Sequence, residues 1–256
     1  MLRDVIEIAI QAGQKIMEVY DEIYTVHQKA DQSPLTLADQ LSHEYIQTKL
    51  NLLQLKLPLL SEEGAHIPFK VRKNWSTFWL IDPLDGTKEF IKKNGDFTVN
   101  IALIQGNRPV LGVIYAPAHD ILYSAEKNKG AFKLLHASSN TKRKKIKITS
   151  SSSKIKKVVI SRSHLSEATK NYLENLHQQE GKLEYSSIGS SLKFCLVAEG
   201  AAHYYPRLAP TMEWDTAAGQ IIVEEAHGQV VVYDTGKPLE YNKENLTNPS
   251  FLCTIR

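Results

Sequence analysis

A short acidic segment, Asp82-Pro83-Leu84-Asp85-Gly86-Thr87, carries residue types that are well suited to chemistry. Two carboxylates flank a proline that stiffens the turn, and the glycine lets the backbone approach a bound group. Asp82 and Asp85 can therefore converge, and converging carboxylates repel one another unless a cation lies between them. Ligands that are all oxygen favour magnesium, manganese or calcium over zinc. The segment predicts a divalent-metal site with the Thr87 hydroxyl beside it; the alternative is a capped turn that binds nothing.

Two further acidic segments lie upstream and downstream of this one. Leu60-Ser61-Glu62-Glu63-Gly64 places adjacent acids directly after an apolar stretch. Trp214-Asp215-Thr216-Ala217-Ala218-Gly219 places an acid at a predicted helix N-terminus, where the helix dipole also attracts phosphate. Taken singly, each acid is more typical of a helix cap or a solvated charge than of a metal ligand.

Together the three segments resemble the inositol monophosphatase superfamily. Its signature pairs an Asp-Pro-[Ile/Leu]-Asp-Gly-[Thr/Ser] loop with an upstream Glu-Glu and a later Trp-Asp-x-Ala-Ala-Gly segment, and all three occur here in that order. The resemblance extends over nearly the whole chain to the CysQ branch, the 3'(2'),5'-bisphosphate nucleotidases. The segments similar to that branch are Lys29–Asp39, Asp85–Ile91, Ile160–His164 and Ser187–Cys195.

The resemblance implies a catalytic site that uses two magnesium ions and leaves a third open. Its metal ligands would be Glu62, Asp82, the main-chain carbonyl of Leu84, Asp85 and Asp215. Glu63 would lie behind these ligands and contact them rather than the metal. Asp39 and Thr87 would orient and deprotonate the attacking water, and Glu62 would act with them in catalysis.

The resemblance also implies the residues that contact the substrate. The amides of Gly86 and Thr87, together with Lys88, would hold the reacting phosphate beside Asp215. Contacts to the second phosphate and the nucleotide would come from His164, Ser190, Lys193 and Arg207. A second phosphate requires fixed cations, and an arginine offers a bidentate fork. The alternatives are a structural role for the histidine and a solvated position for the helix lysine.

The activity implied is hydrolysis of the 3'-phosphate of adenosine 3',5'-bisphosphate to AMP, without a covalent intermediate. The implied role is clearance of this by-product of sulfate activation, with 3'-phosphoadenylyl sulfate as a second candidate substrate and lithium as an inhibitor. An inositol-1-phosphate or sugar-phosphate phosphatase is the alternative within the superfamily. A non-catalytic nucleotide or metal sensor on the same fold is the alternative of another class.

Composition constrains partners and location. The 256 residues carry a formal charge of +3, which by itself predicts no nucleic-acid partner, and the partner expected is a small bisphosphate nucleotide. Two cysteines make no disulfide framework and indicate a reducing cytoplasm. No apolar run of about 18 residues occurs, so no transmembrane segment is predicted. The resemblance adds peripheral contact with the cytoplasmic face of the inner membrane; the sequence leaves the oligomeric state open.

Hydrophobic periodicity predicts helices over residues 4–20 and from an N-cap at Thr36 to about Leu53. The strand-like runs of the first half are Trp79–Ile81, Phe97–Ile104, Val110–Tyr115 and Leu122–Ala125. The first of them should end at Asp82-Pro83, because proline cannot continue a central strand. The second half alternates strands Val158–Ile160 and Gln229–Tyr233 with helices Glu167–Leu176, Ser191–Glu199 and Thr216–Ala226, the last one closed by Gly228.

The polar and basic residues 136–157 predict the boundary between two halves, 1–140 with the metal loop and 156–256 with the substrate contacts and the last metal ligand. The basic run 142–145 is typical of a solvated loop, with a polyanion or membrane surface as the alternative. Mixed strands and helices in both halves predict a layered α/β or α+β protein. The resemblance narrows this prediction to the αβαβα five-layer sandwich of the inositol monophosphatase and sugar phosphatase type.

Overall fold

The computed structural model describes residues 1–22, 34–139, 144–146, 155–162 and 166–255. Within these residues the strands form two sheets. The first sheet follows chain order and contains β1 (Leu59–Ser61), β2 (Thr77–Asp85), β3 (Thr98–Gln105), β4 (Arg108–Ala116), β5 (Ile121–Glu126), β6 (Gly130–Leu135) and β7 (Lys144–Ile146). Its β1–β2 pair is parallel, whereas the pairs after it are antiparallel.

The second sheet belongs to the later part of the chain. Its strands are β8 (Lys156–Ser161), β9 (Leu183–Ile188), β10 (Tyr204–Arg207), β11 (Gly228–Val232) and β12 (Phe251–Ile255). They lie in the order β11-β12-β10-β8-β9. The pairs of β8 with β9 and β10 are parallel, and those of β12 with β10 and β11 are antiparallel.

Helices form the other three layers. They are α1 (Leu2–Glu22), α2 (Pro34–Asn51), α3 (Phe69–Arg72), α4 (Thr87–Ile91), α5 (Glu167–Glu180), α6 (Leu192–Ala198) and α7 (Glu213–Glu225). The α1–α2 pair covers one face of the first sheet, α6 and α7 lie between the two sheets, and α5 packs on the outer face of the second. The predicted αβαβα sandwich is confirmed.

The strand β2 shows why the first sheet must be covered on both faces. Phe78 and Leu80 enter the core shared with α6 and α7, whereas Trp79 and Ile81 enter the core under α1 and α2. All four side chains are almost completely buried. A continuous apolar run of this kind is typical of a strand covered on both faces.

Several predicted boundaries are wrong, including that of the helix predicted to end at Leu176, which runs on to Glu180. The strand does not end at Asp82: β2 continues through Pro83 to Asp85, because a bulge accommodates the proline. Thr36 is not an N-cap, since α2 already begins at Pro34, a residue favoured at the first helical position. The last helix begins at Glu213 rather than Thr216, and the residue with positive φ after it is His227 (φ 74°), while Gly228 opens β11.

The division at 1–140 and 156–256 stays a prediction. The two sheets meet through α7, which packs on strands of both. Of the basic run, Lys144 and Lys145 form the edge strand β7, and residues 142–143 lie outside the described residues. Among the described helices, none combines the length and the apolar character that crossing a membrane requires.

Candidate active site

A bulge in β2 sets the geometry of the acidic loop. Asp82 pairs with Asn100 and Asp85 with Thr98, so two residues of β2 stand opposite a single residue of β3. One of these two residues is Pro83, whose missing N–H is not needed where the ladder of hydrogen bonds between β2 and β3 is interrupted. The Leu84 amide donates to the Asp82 carboxylate over 3.1 Å, which fixes the direction of that side chain.

Gly86 joins β2 to α4 and is the N-cap residue of that helix. Its φ of 95° lies in the left-handed region, and a Cβ there would stand 3.0 Å from the Asp96 carbonyl oxygen and 3.3 Å from the Ser190 Cβ. Only glycine combines this conformation with such close packing at low cost. The chain therefore turns at once, and Thr87 becomes the first residue of α4.

One cleft of about 300 Å³ brings most of the predicted site residues together. The predicted residues that line it are Glu62, Asp82, Leu84, Asp85, Gly86, Thr87, Lys88, Ser190, Lys193, Arg207 and Asp215. Asp39 is buried on α2, close enough to Glu62 and Glu63 for their charges to act on it. His164 lies outside the described residues. The roles assigned to these side chains stay predictions.

The acid wall of the cleft, formed by Glu62, Asp82, Asp85 and Asp215, fits a hard divalent cation. One carboxylate oxygen from each of Glu62, Asp82 and Asp215 lies within 4.8 Å of the other two. Asp82 is only 1% exposed, so water cannot screen it from its neighbours. Clustered carboxylate oxygens without nitrogen or sulfur ligands match magnesium rather than zinc.

The pKa values in this wall show how strongly it resists unbalanced negative charge. Burial, followed by the charge of Asp85, raises the pKa of Asp215 to about 8. Burial and the same neighbour raise the pKa of Asp82 well above its usual range. Although Glu62 is an exposed residue, partial loss of hydration and the nearby Asp85 raise its pKa to about 6. Each of these shifts favours a proton or a bound cation on the carboxylate.

Asp85, within the acid wall, and Asp39, outside it, also have raised pKa values. Burial, with the charges of Glu63 and Glu62, raises the pKa of Asp39 to about 8. Burial also raises the pKa of Asp85, against an opposing effect of the Lys193 ammonium. The Asn100 amide lies 3.4 Å from the Asp85 carboxylate and accepts a 2.7 Å hydrogen bond from the Ser191 hydroxyl.

Lys193 and Arg207 form the cation wall of the same cleft. Lys193 is 5% exposed, so the alternative of a solvated helix lysine is wrong; its ammonium donates to the carbonyls of Ile188 and Ser190. Burial lowers the pKa of Lys193 to about 8. Arg207 donates from one terminal nitrogen to the Pro210 carbonyl over 2.9 Å, while its Nε lacks a partner among the described residues.

Sequence reasoning missed several residues of the site. Further side chains that line the cleft are Glu89, Ser161, Ser191, Tyr205, Thr211 and Thr216. Sequence reasoning also missed Ser42 and His43, which contact the strands that carry the acids. Their signal in the sequence is a polar residue at a helix position whose spacing predicts burial.

The fold and the acid-lined cleft define the class of protein. The model of the inositol monophosphatase family matches residues 1–252, and the chain belongs to this family.

Individual relatives narrow the comparison. The chain is 47% identical to the 3'(2'),5'-bisphosphate nucleotidase CysQ of Escherichia coli K12, with all of both chains covered. It is 38% identical to the CysQ of Haemophilus influenzae, over 98% of this chain and 91% of that one. The crystal structure of CysQ from Bacteroides thetaiotaomicron superposes with a TM-score of 0.90 at 44% identity, covering 99% of this chain and 96% of that one. The inositol monophosphatase of Anabaena is less similar, with a TM-score of 0.74 at 26% identity over 99% and 89%.

Proposed function

We propose that this protein is a magnesium-dependent 3'(2'),5'-bisphosphate nucleotidase that converts adenosine 3',5'-bisphosphate to AMP and phosphate. The observation that carries the proposal is that an acid wall and two buried cations line the same cleft. A substrate with one reacting phosphate and one spectator phosphate matches both walls. The names of the relatives that are 38–47% identical support the same activity.

The acid wall accounts for the metal dependence. Glu62, Asp82, the Leu84 carbonyl, Asp85 and Asp215 would hold two magnesium ions, with a third left open. Magnesium, when bound, supplies positive charge to the phosphate and lowers the pKa of a coordinated water. Glu63 contributes its charge from behind this group.

The remaining residues orient the reactants and move the proton. Asp39, whose pKa is raised to about 8, can accept the proton of the attacking water through the Thr87 hydroxyl. The amides of Gly86 and Thr87, with Lys88, hold the reacting phosphate. Lys193 and Arg207 hold the phosphate that does not react, together with Ser190 and, in the same proposal, His164.

The test is phosphate release from three substrates by the purified protein, with magnesium and with a chelator. We expect turnover of adenosine 3',5'-bisphosphate in magnesium, far slower turnover of inositol 1-phosphate and fructose bisphosphate, and none in the chelator. Preferred hydrolysis of inositol 1-phosphate would replace the proposed substrate class. Nucleotide binding without turnover of any of the three would indicate a sensor.

Two finer points belong to the same proposal. 3'-Phosphoadenylyl sulfate is a second candidate substrate, because it carries the same 3'-phosphate beside a charged 5'-group; the role would be nucleotide clearance in sulfur assimilation. Cys195 and Cys253 are buried free thiols, which supports a cytoplasmic location. Peripheral contact with the inner membrane stays a prediction.

A further inference from the structure

The helix α2 presents polar side chains where its spacing calls for apolar ones. Ala38, Ile46 and Leu50 are buried along the face that packs toward β2. Ser42 falls on the same stripe, and Asp39 and His43 fall on the adjacent one, with all three residues less than 10% exposed. Residues three and four apart share a helix face, so Asp39, Ser42 and His43 point to the same side.

Ser42 joins α2 to the acidic loop. Its hydroxyl is completely buried and donates to the Pro83 carbonyl over 2.9 Å. Pro83 lies inside the bulge that separates Asp82 from Asp85. This hydrogen bond therefore fixes the position of α2 along the loop that carries two of the acids.

His43 joins the same helix to the other acid-bearing strand. Its Nδ1 lies 2.9 Å from the Ser61 hydroxyl, and both groups are buried. Ser61 is the last residue of β1 and precedes Glu62 directly. Burial lowers the pKa of His43, and which partner donates in this hydrogen bond depends on the tautomer of the ring.

We propose that Ser42 and His43 are positioning residues that hold Asp39 in register with the acid wall. Two buried hydrogen bonds, one to β2 and one to β1, fix the helix at two points beside the residues that carry the cleft's acids. An apolar residue at either position would satisfy packing, yet it would leave the Pro83 carbonyl or the Ser61 hydroxyl unpaired and the helix free to slide. The inference rests on the proposed function only in taking Asp39 as the proton acceptor.

The test separates positioning from binding and from stability. Ser42→Ala and His43→Leu should each lower kcat about 10-fold to 100-fold, because displacing a catalytic group by about 1 Å has an effect of that order. KM should stay within about twofold, since neither residue lines the cleft. His43→Asn, which places an amide near the Nδ1 position, should recover most of the loss.

The background Asp39→Asn makes the test specific. Once the acceptor is gone, its position no longer matters, so His43→Leu should cause no further loss in that background. The inference would be overturned if the kcat losses of Asp39→Asn and His43→Leu multiplied in the double variant. It would also be overturned if KM rose as much as kcat fell, or if His43→Asn were as slow as His43→Leu. Thr169→Val on the outer helix α5 is the stability control, because it removes a part-buried 2.9 Å hydroxyl pair with Ser166, the N-cap residue of that helix.

The choice of substrate and a structural readout make the test of positioning independent of the proposed substrate. Kinetics use whichever of the three phosphate esters the unaltered protein hydrolyses fastest, so a different substrate would overturn the proposed function without affecting this inference. A crystal structure of Ser42→Ala, the milder variant, supplies a readout without turnover. A shift of Asp39 relative to Pro83 supports positioning, and an Asp39 that stays in place overturns it.

Discussion

The acid wall and the cation wall of the cleft are built in different ways. Asp82 and Asp85 flank a bulge at the end of β2, the second strand of the first sheet, and β3 and α2 hold the backbone around them. Lys193 and Arg207 stand on a short helix and a short strand, and their own charged groups donate to backbone carbonyls. Neighbouring elements thus fix the backbone around the two acids of β2, in addition to the hydrogen bonds that their carboxylates accept, whereas the cations are held at their side-chain ends.

The two walls also differ in whether their charged groups have partners when no ligand is bound. All four acids of the acid wall have a raised pKa, so this wall is incomplete without a proton or metal ion. The two cations of the second wall, Lys193 and Arg207, already donate to backbone carbonyls when no ligand is bound. Metal removal should therefore affect the two walls differently, and substitutions in each should have separable kinetic effects.

The largest effect should come from removing one charge in the acid wall. Asp85→Asn should lower kcat by on the order of a thousandfold or more while leaving the fold intact, because it keeps the shape but removes several kcal/mol of transition-state stabilisation. Steady-state rates and circular dichroism check both parts. Asp234→Asn, an exposed acid in a turn, is the control. Near-normal rates at saturating magnesium would remove Asp85 from the ligand set.

A smaller and more selective effect is expected in the cation wall. Lys193→Ala or Arg207→Ala should raise KM for the bisphosphate about 10-fold to 100-fold, since a hydrogen bond to a charged group is worth about 1.5–3 kcal/mol. Turnover of a substrate with one phosphate should change little.

The comparison of the two substrates is the measurement, and the exposed Lys182→Ala is the control. Equal losses on both substrates would place Lys193 and Arg207 in the scaffold and erase the distinction between the walls.

Lithium should distinguish the acid wall from general salt effects. It is close to magnesium in size but carries half the charge, so it can enter the small oxygen-lined site of Asp82, Asp85 and Asp215, where sodium and potassium are too large. Inhibition should be uncompetitive, because lithium binds after the substrate. Titration at several nucleotide concentrations checks this, with sodium as the control. Equal inhibition by both salts would indicate screening instead.

The acid wall should also make the metal-free protein sensitive to pH. The pKa of Asp215 rises from 3.8 to about 8 on folding, so between these values the folded state holds protons that the unfolded state has released. The free energy of unfolding contributed by such groups falls as pH rises through that window. Magnesium replaces the protons, so its stabilising effect should grow with pH.

Melting temperatures with chelator and with magnesium, from about pH 5.5 to about pH 8, measure this dependence. Asp82→Asn removes one of the titrating acids and should flatten the slope. An equal rise in melting temperature with magnesium at both ends of the range would contradict the assignment.

The sequence predicts the acids well and their supports poorly. Asp82, Asp85 and Asp215 are recognisable because a local motif carries each of them, and the apolar periodicity of α1 and the first-sheet strands appears directly in the sequence. The bulge at Pro83 could not be predicted, because proline normally ends a central strand and only the pairing with β3 shows that the strand resumes. Ser42 and His43 were missed because their partners, Pro83 and Ser61, lie 41 and 18 residues away.

The smallest expected effect is a difference in stability between alanine variants of two glycines with similar backbone conformations. Gly86 (φ 95°) lies against the Asp96 carbonyl and Ser190, whereas Gly200 (φ 76°) has nothing within 4 Å of where a Cβ would stand. Gly200→Ala should cost about 1–2 kcal/mol, the strain of a left-handed conformation alone. Gly86→Ala should cost more, because its Cβ would also meet the Asp96 carbonyl oxygen at 3.0 Å. Urea denaturation of both variants measures the extra cost of these contacts as the difference in the free energy of unfolding. Equal losses of stability would show that Gly86 is required for its backbone conformation alone and not for close packing against Asp96 and Ser190.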